Sequence, residues 1–229
     1  MDGHTAVITG GTRGIGRAVA AAFAEAGATV VIAARDGETL DATPSEIDGD
    51  VTGVRADVRD EYDVERLVET ASRAGDGRGI DTLVANAAVY HGEPGSTPIT
   101  EESYSSFDDH ARTNGRGVFA TIREALPHLT DDARVLVSTG SVARDPKPGI
   151  GSYAVSKATA EAIARAFAVD TGYVVGCVDP GMVETELSGP GGRDPDDVAP
   201  LFLWAATEAD PESLDGDVVG LREWKTATR

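Results

Sequence analysis

Tyr153 and Lys157 stand four residues apart in SYAVSKATAEAIARAFAVD, so both lie on one face of a helix. Lys147, Lys157 and Lys225 are the only lysines of the chain, and a solvated charge placed there by chance is the plain alternative. A phenol beside an ammonium suits proton transfer: free tyrosine titrates near pH ~10, and a close cation favours the phenolate. A second group of residues opens the chain. In TAVITGGTRGIGR, glycines at 10, 11, 14 and 16 follow a β-branched run and precede a helical period of Ile15, Val19, Phe23 and Ala26. Glycines let backbone approach a ligand closely, and a helix N-terminus offers free N–H groups to an anion. That arrangement fits a dinucleotide pyrophosphate; a tight turn that binds nothing is the alternative. Arg35 ends the next apolar run, and Arg13 sits inside the glycine turn. Two guanidiniums near one point suit the 2′-phosphate of NADP. Asp36 leaves NAD open, because a carboxylate there would meet a free ribose hydroxyl.

These residues need a frame. Apolar, β-branched runs at 5–8, 28–34, 51–56, 80–85, 135–138 and 174–178 predict strands, and 217–221 a seventh. Helical patterns lie between them at 14–26, 60–74, 104–129, 152–170 and 196–207, with a short or irregular helix in 37–50. The alternation predicts an α/β, doubly wound, Rossmann-like three-layer fold with a mostly parallel seven-stranded sheet in a single domain, 1–229. Asp57, Asn86, Ser138–Ser141 and Asp179–Gly181 then fall at strand ends, the edge where open α/β sheets collect ligands. Residues 182–194 read as a short, mobile, glycine-rich stretch.

Composition narrows the function classes. The 229 residues carry 39 Asp plus Glu against 20 Lys plus Arg, a formal net charge of −19. The acids are spread along the chain, so they form a solvated face that repels nucleic acid. Such self-repulsion is tolerable where salt screens it, and a salt-rich cytoplasm, as in a halophile, is the expected origin. The one cysteine, Cys177, lies in an apolar run and reads as a small buried hydrophobe. No run reaches membrane-spanning length and no signal peptide is visible, so a cytoplasmic, non-membrane protein is expected. No metal site is expected.

Taken in order, the motifs resemble those of the short-chain dehydrogenase/reductase family over essentially the whole chain. The nucleotide turn matches at Thr9-Gly10-Gly11-Thr12-Arg13-Gly14-Ile15-Gly16, the adenine-side acid at Asp57 with Val58 beside it, and the Asn-Ala-Gly segment at Asn86-Ala87-Ala88. The tyrosine–lysine signature matches at Tyr153-Ala154-Val155-Ser156-Lys157, and the Pro-Gly segment at Pro180-Gly181. The resemblance implies a catalytic set of Asn114, Ser141, Tyr153 and Lys157, and cofactor contacts that include Val183 and Thr185. Ser141 stands one residue closer to Tyr153 than the family pattern expects, and Ser138 is the other candidate. The segment from Lys157 to Pro180 is about three residues short, and Gly176 replaces a usual asparagine.

The resemblance implies hydride transfer between a nicotinamide and a small carbonyl or alcohol. Tyr153 is the expected general acid/base, with Lys157 and an oxidised nicotinamide together favouring its phenolate. Ser141 is expected to hold the substrate oxygen, Lys157 the nicotinamide ribose, and Asn114 a water behind Lys157. His91 is a possible polar substrate contact; a solvated loop histidine is the plainer reading. The mainly apolar residues around the pocket include no evident clamp for a charged substrate. An NADP-preferring carbonyl reductase leads. An NAD-linked alcohol or sugar dehydrogenase and a non-catalytic nucleotide sensor or scaffold are the alternatives. The family pattern implies a homotetramer or homodimer built through the two long helices.

Overall fold

The computed structural model describes residues 1–229. Seven strands, β1 (Thr5–Thr9), β2 (Thr29–Ala34), β3 (Val51–Arg55), β4 (Ile80–Ala85), β5 (Leu129–Ser138), β6 (Val174–Asp179) and β7 (Val218–Gly220), form one sheet in the order β3-β2-β1-β4-β5-β6-β7. Every neighbouring pair is parallel, for example Val7 opposite Val31 on one side and Leu83 on the other. The order reverses between β1 and β4, which creates the crevice where such sheets take ligands.

The central strands β1, β2, β4 and β6 are mainly apolar because both faces are covered, whereas the edge strand β3 is largely exposed. Alternate residues point to opposite sides: Ala6, Ile8, Leu136 and Val178 pack into one cluster, and Val7, Leu83, Val135 and Cys177 into the other. The first cluster lies under α1 (Gly14–Glu25) and α7 (Pro195–Thr207), with Phe23, Leu201 and Phe202 fully buried. The second lies under α3 (Glu61–Ser72), α5 (Gly117–Ala125) and α6 (Ser152–Asp170), where Leu67, Ile122 and Ala160 face inward. The buried Cys177 thiol, pushed up to about 12 by burial, behaves as the small hydrophobe its context suggested.

The irregular 37–50 segment becomes α2 (Gly37–Ala42) and a 3₁₀ turn at Thr43–Glu46. The helix expected over 104–129 is built in parts: α4 (Tyr104–His110), a π-helical turn at Ala111–Arg116, then α5 and a 3₁₀ turn at Leu126–His128. Two helices at the end, α8 (Pro211–Leu214) and α9 (Leu221–Ala227), complete the chain.

Candidate active site

At the crevice, β1 and β4 are tied together by side chains. Thr9 Oγ1 accepts the N–H groups of Asn86 and Ala87, both at 3.1 Å, and Asn86 Nδ2 donates to Thr9 O at 3.0 Å. The chain then turns through Gly10 into α1. A Cβ at Gly16 would lie 2.1 Å from Gly10 O, so only glycine permits this close approach. No side chain caps α1, whose first turn opens on a cleft of about 870 Å³. Gly10, Thr12, Gly14, Ile15 and Gly16 line it, and so do Asn86, Ala87, Tyr153 and Lys157. A glycine cradle with an uncapped helix start fits a pyrophosphate.

Arg13 and Arg35 both line the cleft. Arg13 Nη1 pairs with Glu186 Oε2 at 2.7 Å, with both side chains mostly exposed. Arg35 has no ion-pair partner. Asp36, in contrast, caps α2: its Oδ1 accepts Thr39 N at 2.9 Å and Thr39 Oγ1 at 2.5 Å. Those bonds hold its carboxyl below the ordinary range. Asp57 and Val58 also line the cleft. Asp57 is clamped by Arg59, with Nη2 to Oδ2 at 2.7 Å, and Arg59 reaches on to Asp109 Oδ1 at 2.8 Å. The Arg59 hydrogen bond is the main reason that the Asp57 carboxyl titrates low.

Lys157 is buried on α6 and donates from Nζ to Ser138 O at 3.0 Å. Its Nζ stands 5.7 Å from the centre of the Tyr153 ring, as the shared helix face predicted. Burial lowers Lys157 to about 8, opposed by Cys177, Glu161 and Asp179. Burial, then Tyr90, pushes Tyr153 well above the ordinary phenol value. The protein alone therefore holds Tyr153 as a neutral phenol, the form that donates a proton, and does not by itself reach the phenolate expected with an oxidised nicotinamide beside it. Ser138 lines the cleft, whereas Ser141 opens a 3₁₀ turn, Ser141–Ala143, and is exposed. Asn114 is buried in the π turn; its Oδ1 accepts Val89 N at 2.8 Å and its Nδ2 donates to Val89 O at 2.9 Å and Ser156 Oγ at 3.0 Å. π turns recur at functional sites because the extra residue redirects one side chain.

A family model described as short chain dehydrogenase matches residues 4–195. The chain belongs to the short-chain dehydrogenase family. It is an α/β oxidoreductase of the NAD(P)-dependent kind, acting on small carbonyl or alcohol substrates. An NADPH-dependent aldehyde reductase-like protein of Arabidopsis thaliana is 33% identical over 208 residues, 82% of this chain and 75% of the relative. L-fucose dehydrogenase of Mus musculus is 35% identical over 191 residues, 81% of this chain and 67% of the relative. The crystal structure of 3-ketoacyl-(acyl-carrier-protein) reductase from Brucella melitensis complexed with NADH is 26% identical, covers 96% of this chain and 97% of its own, and superposes with a TM-score of 0.86.

For a short-chain dehydrogenase, the other expected residues are distributed as follows. Thr185 lines the cleft with Glu186 and Leu187, while Pro180, Gly181 and Val183 follow β6 outside its wall. Within 182–194, Glu184 N donates to Arg193 O, Arg193 N to Met182 O and Gly189 N to Thr185 O, at 2.8, 2.8 and 2.9 Å. His91 is neither free nor in the cleft wall, since its Nε2 pairs with Asp109 Oδ2 at 2.9 Å. Arg144 bridges Glu161 and Asp179, so its charge is consumed inside the protein.

Sequence reasoning missed Glu102 and His110. The Tyr90 ring meets Tyr153 edge-on at 5.0 Å, and the His110 ring meets it at 6.0 Å. His110 stands four residues before Asn114 and so shares its helix face, the one signal available. The loop before α4 is also stapled to the loop before α6. Gly149 O accepts Gly95 N at 3.1 Å, Thr97 N at 2.9 Å and Tyr90 Oη at 3.3 Å.

Proposed function

We propose that this short-chain dehydrogenase is an NADP-preferring carbonyl reductase, working as one nucleotide-binding domain over 1–229. The observation that carries the reading is that one cleft is lined by the glycine cradle, by both Arg13 and Arg35, and by Tyr153 with Lys157. A nicotinamide dinucleotide bound there supplies the hydride. Gly10, Thr12, Gly14, Ile15 and Gly16 hold its pyrophosphate, and Arg13 and Arg35 its 2′-phosphate. Asp57 and Val58 flank the adenine. Asn86, Ala87, Pro180, Gly181, Val183 and Thr185 frame the nicotinamide half, and Lys157 donates to the ribose hydroxyls. Ser141 holds the substrate oxygen by hydrogen bond. Tyr153, a neutral phenol in this environment, gives its proton to that oxygen in reduction and takes it back in oxidation. Asn114 orders a water behind Lys157 for return of the proton. His91 reaches substrate only through its loop.

The NADPH named for the Arabidopsis relative supports this cofactor reading. The alternative, an NAD-linked alcohol or sugar dehydrogenase, draws support from the mouse L-fucose dehydrogenase and from the NADH of the Brucella structure. A cytoplasmic homotetramer or homodimer from a salt-rich cell accords with the acidic composition and with the exposed Phe119 and Val155 on α5 and α6.

Purified protein offered a panel of aldehydes and ketones tests the reading, with NADPH and NADH oxidation followed separately. Turnover is expected with NADPH, lost in Tyr153→Phe while NADPH still binds. Turnover that survives in Tyr153→Phe refutes the role of Tyr153.

A further inference from the structure

The catalytic helix α6 begins without a cap of its own. Its cap position is Gly151, which has no side chain to offer and adopts φ 61°, ψ −151°, a conformation open to glycine alone. The missing partner comes from a residue 50 positions away. Glu102 Oε2 accepts Ser152 N at 2.7 Å, and Glu102 Oε1 accepts Ser152 Oγ at 2.7 Å. A Cβ on residue 151 would press to 3.0 Å from Glu102 Oε2, so the glycine also makes room for the carboxylate.

The Glu102 side chain is 4% exposed, and a carboxylate that deep needs further donors. His110, 1% exposed, supplies one. Its Nε2 accepts His91 N at 3.1 Å and so carries no proton. The ring proton is therefore on Nδ1, which stands 2.8 Å from Ser152 Oγ and 3.2 Å from Glu102 Oε1. Each group in the cluster then has a compatible role: imidazole donates, hydroxyl accepts and donates, carboxylate accepts. The same His110 ring lies edge-on to Tyr153, the residue that follows Ser152.

We propose that Glu102 and His110 are positioning residues for the reaction: their buried cluster on Ser152 fixes the first turn of α6 and thereby aims the Tyr153 hydroxyl. This rests on Tyr153 being the proton donor. The effect is on the chemical step and not on cofactor affinity, because the cluster lies behind Tyr153 and outside the lining of the cleft. Small errors in aim are costly, since a displacement of about 1 Å can lower a rate by about 100-fold.

Two substitutions separate the two ring nitrogens. In His110→Asn the amide falls where Nδ1 was and keeps the donor to Ser152. In His110→Gln the amide falls where Nε2 was, keeps the bond to His91 and loses that donor. On a carbonyl that the wild type reduces, His110→Gln is expected to lose about tenfold or more in kcat, with the NADPH Kd unchanged, and His110→Asn to retain most of it. Melting temperature and NADPH binding establish that both variants are folded. Equal kcat in the two variants, or a loss confined to melting temperature, overturns the proposal. Ring ¹⁵N chemical shifts give a reading independent of turnover: a neutral, Nδ1-protonated His110 is expected, and an Nε2-protonated ring overturns the cluster. Tyr153→Phe is the reference, for if it stays active the parent reading falls as well. If it is dead while His110→Gln matches the wild type, the positioning role alone falls.

Discussion

Removing the Arg35 guanidinium tests the cofactor reading most directly. Arg35 lines the cleft without an ion-pair partner, whereas Arg13, which also lines it, is paired with Glu186 at 2.7 Å. A 2′-phosphate must therefore compete for Arg13 but not for Arg35. The competition is mild. The Arg13 and Glu186 side chains are 66% and 75% exposed, and pairs of that kind contribute about 0.2–1 kcal/mol. A charge-assisted hydrogen bond to phosphate contributes about 1.5–3 kcal/mol. Arg35→Ala should thus weaken NADPH binding by about 10- to 100-fold. NADH, with no phosphate to lose, should change by less than about threefold by the same conversion. Glu186→Gln should act in the opposite direction and tighten NADPH by up to about fivefold, the whole worth of the released pair. Asp36 does not compensate in either variant, because Thr39 holds both its role and its charge at the start of α2. Fluorescence titration of each protein with NADPH and NADH at about 0.1 M salt, where surface charge still acts over ~10 Å, reads these values. Equal losses for the two nucleotides in Arg35→Ala would refute the assignment, and a Glu186→Gln variant that binds NADPH more weakly would refute the competition.

Three further outcomes follow from the geometry. Gly16→Ala drives a methyl group toward Gly10 O, 2.1 Å from its built position, so cofactor binding should be lost before the fold; near-normal NADPH affinity with a soluble variant would contradict the cradle. Lys157 is charged below about pH 8 and loses that charge as pH rises through it, while Tyr153 keeps its proton to higher pH. The kcat/KM for reduction should therefore decline above about pH 8, and a level profile from pH ~6 to ~10 would remove Lys157 as the titrating group. The net charge of −19 predicts a melting temperature that climbs by several degrees between ~0.1 and ~2 M KCl, and full stability at low salt would argue against self-repulsion as a cost to this fold.

The parts of the fold legible in the sequence were those with one strong local period. α6 spans Ser152–Asp170 and β4 Ile80–Ala85, the bounds their patterns predict, because uninterrupted apolar spacing and flanking glycines act together there. β5 begins at Leu129 and not near Val135, since Thr130, Asp131 and Asp132 break the pattern while the backbone still pairs, with a register shift between Ile80 and Thr82. α8 and α9 are too short for a period to show. The site divides in the same way. Tyr153, Lys157 and the glycine turn depend on local spacing and were visible. Glu102 and His110 depend on segments that meet Ser152 from 50 and 42 residues away, and no local pattern carries that information. Arg59 likewise drew no notice, though it joins Asp57 to Asp109.

The convergence of three donors on Gly149 O has a consequence for how the pocket can be altered. Both loops that flank Tyr153 share this one oxygen as a rivet. Neither can open by degrees: a substrate too large for the space must break three bonds together, so acceptance should fall abruptly with size and not gradually. For the same reason, transplanting one loop from a relative strands the donors of the other. An exchange that keeps these bonds has to replace 90–97 and 144–151 as a single cassette, and drift in one loop is constrained by the partner that it is fastened to.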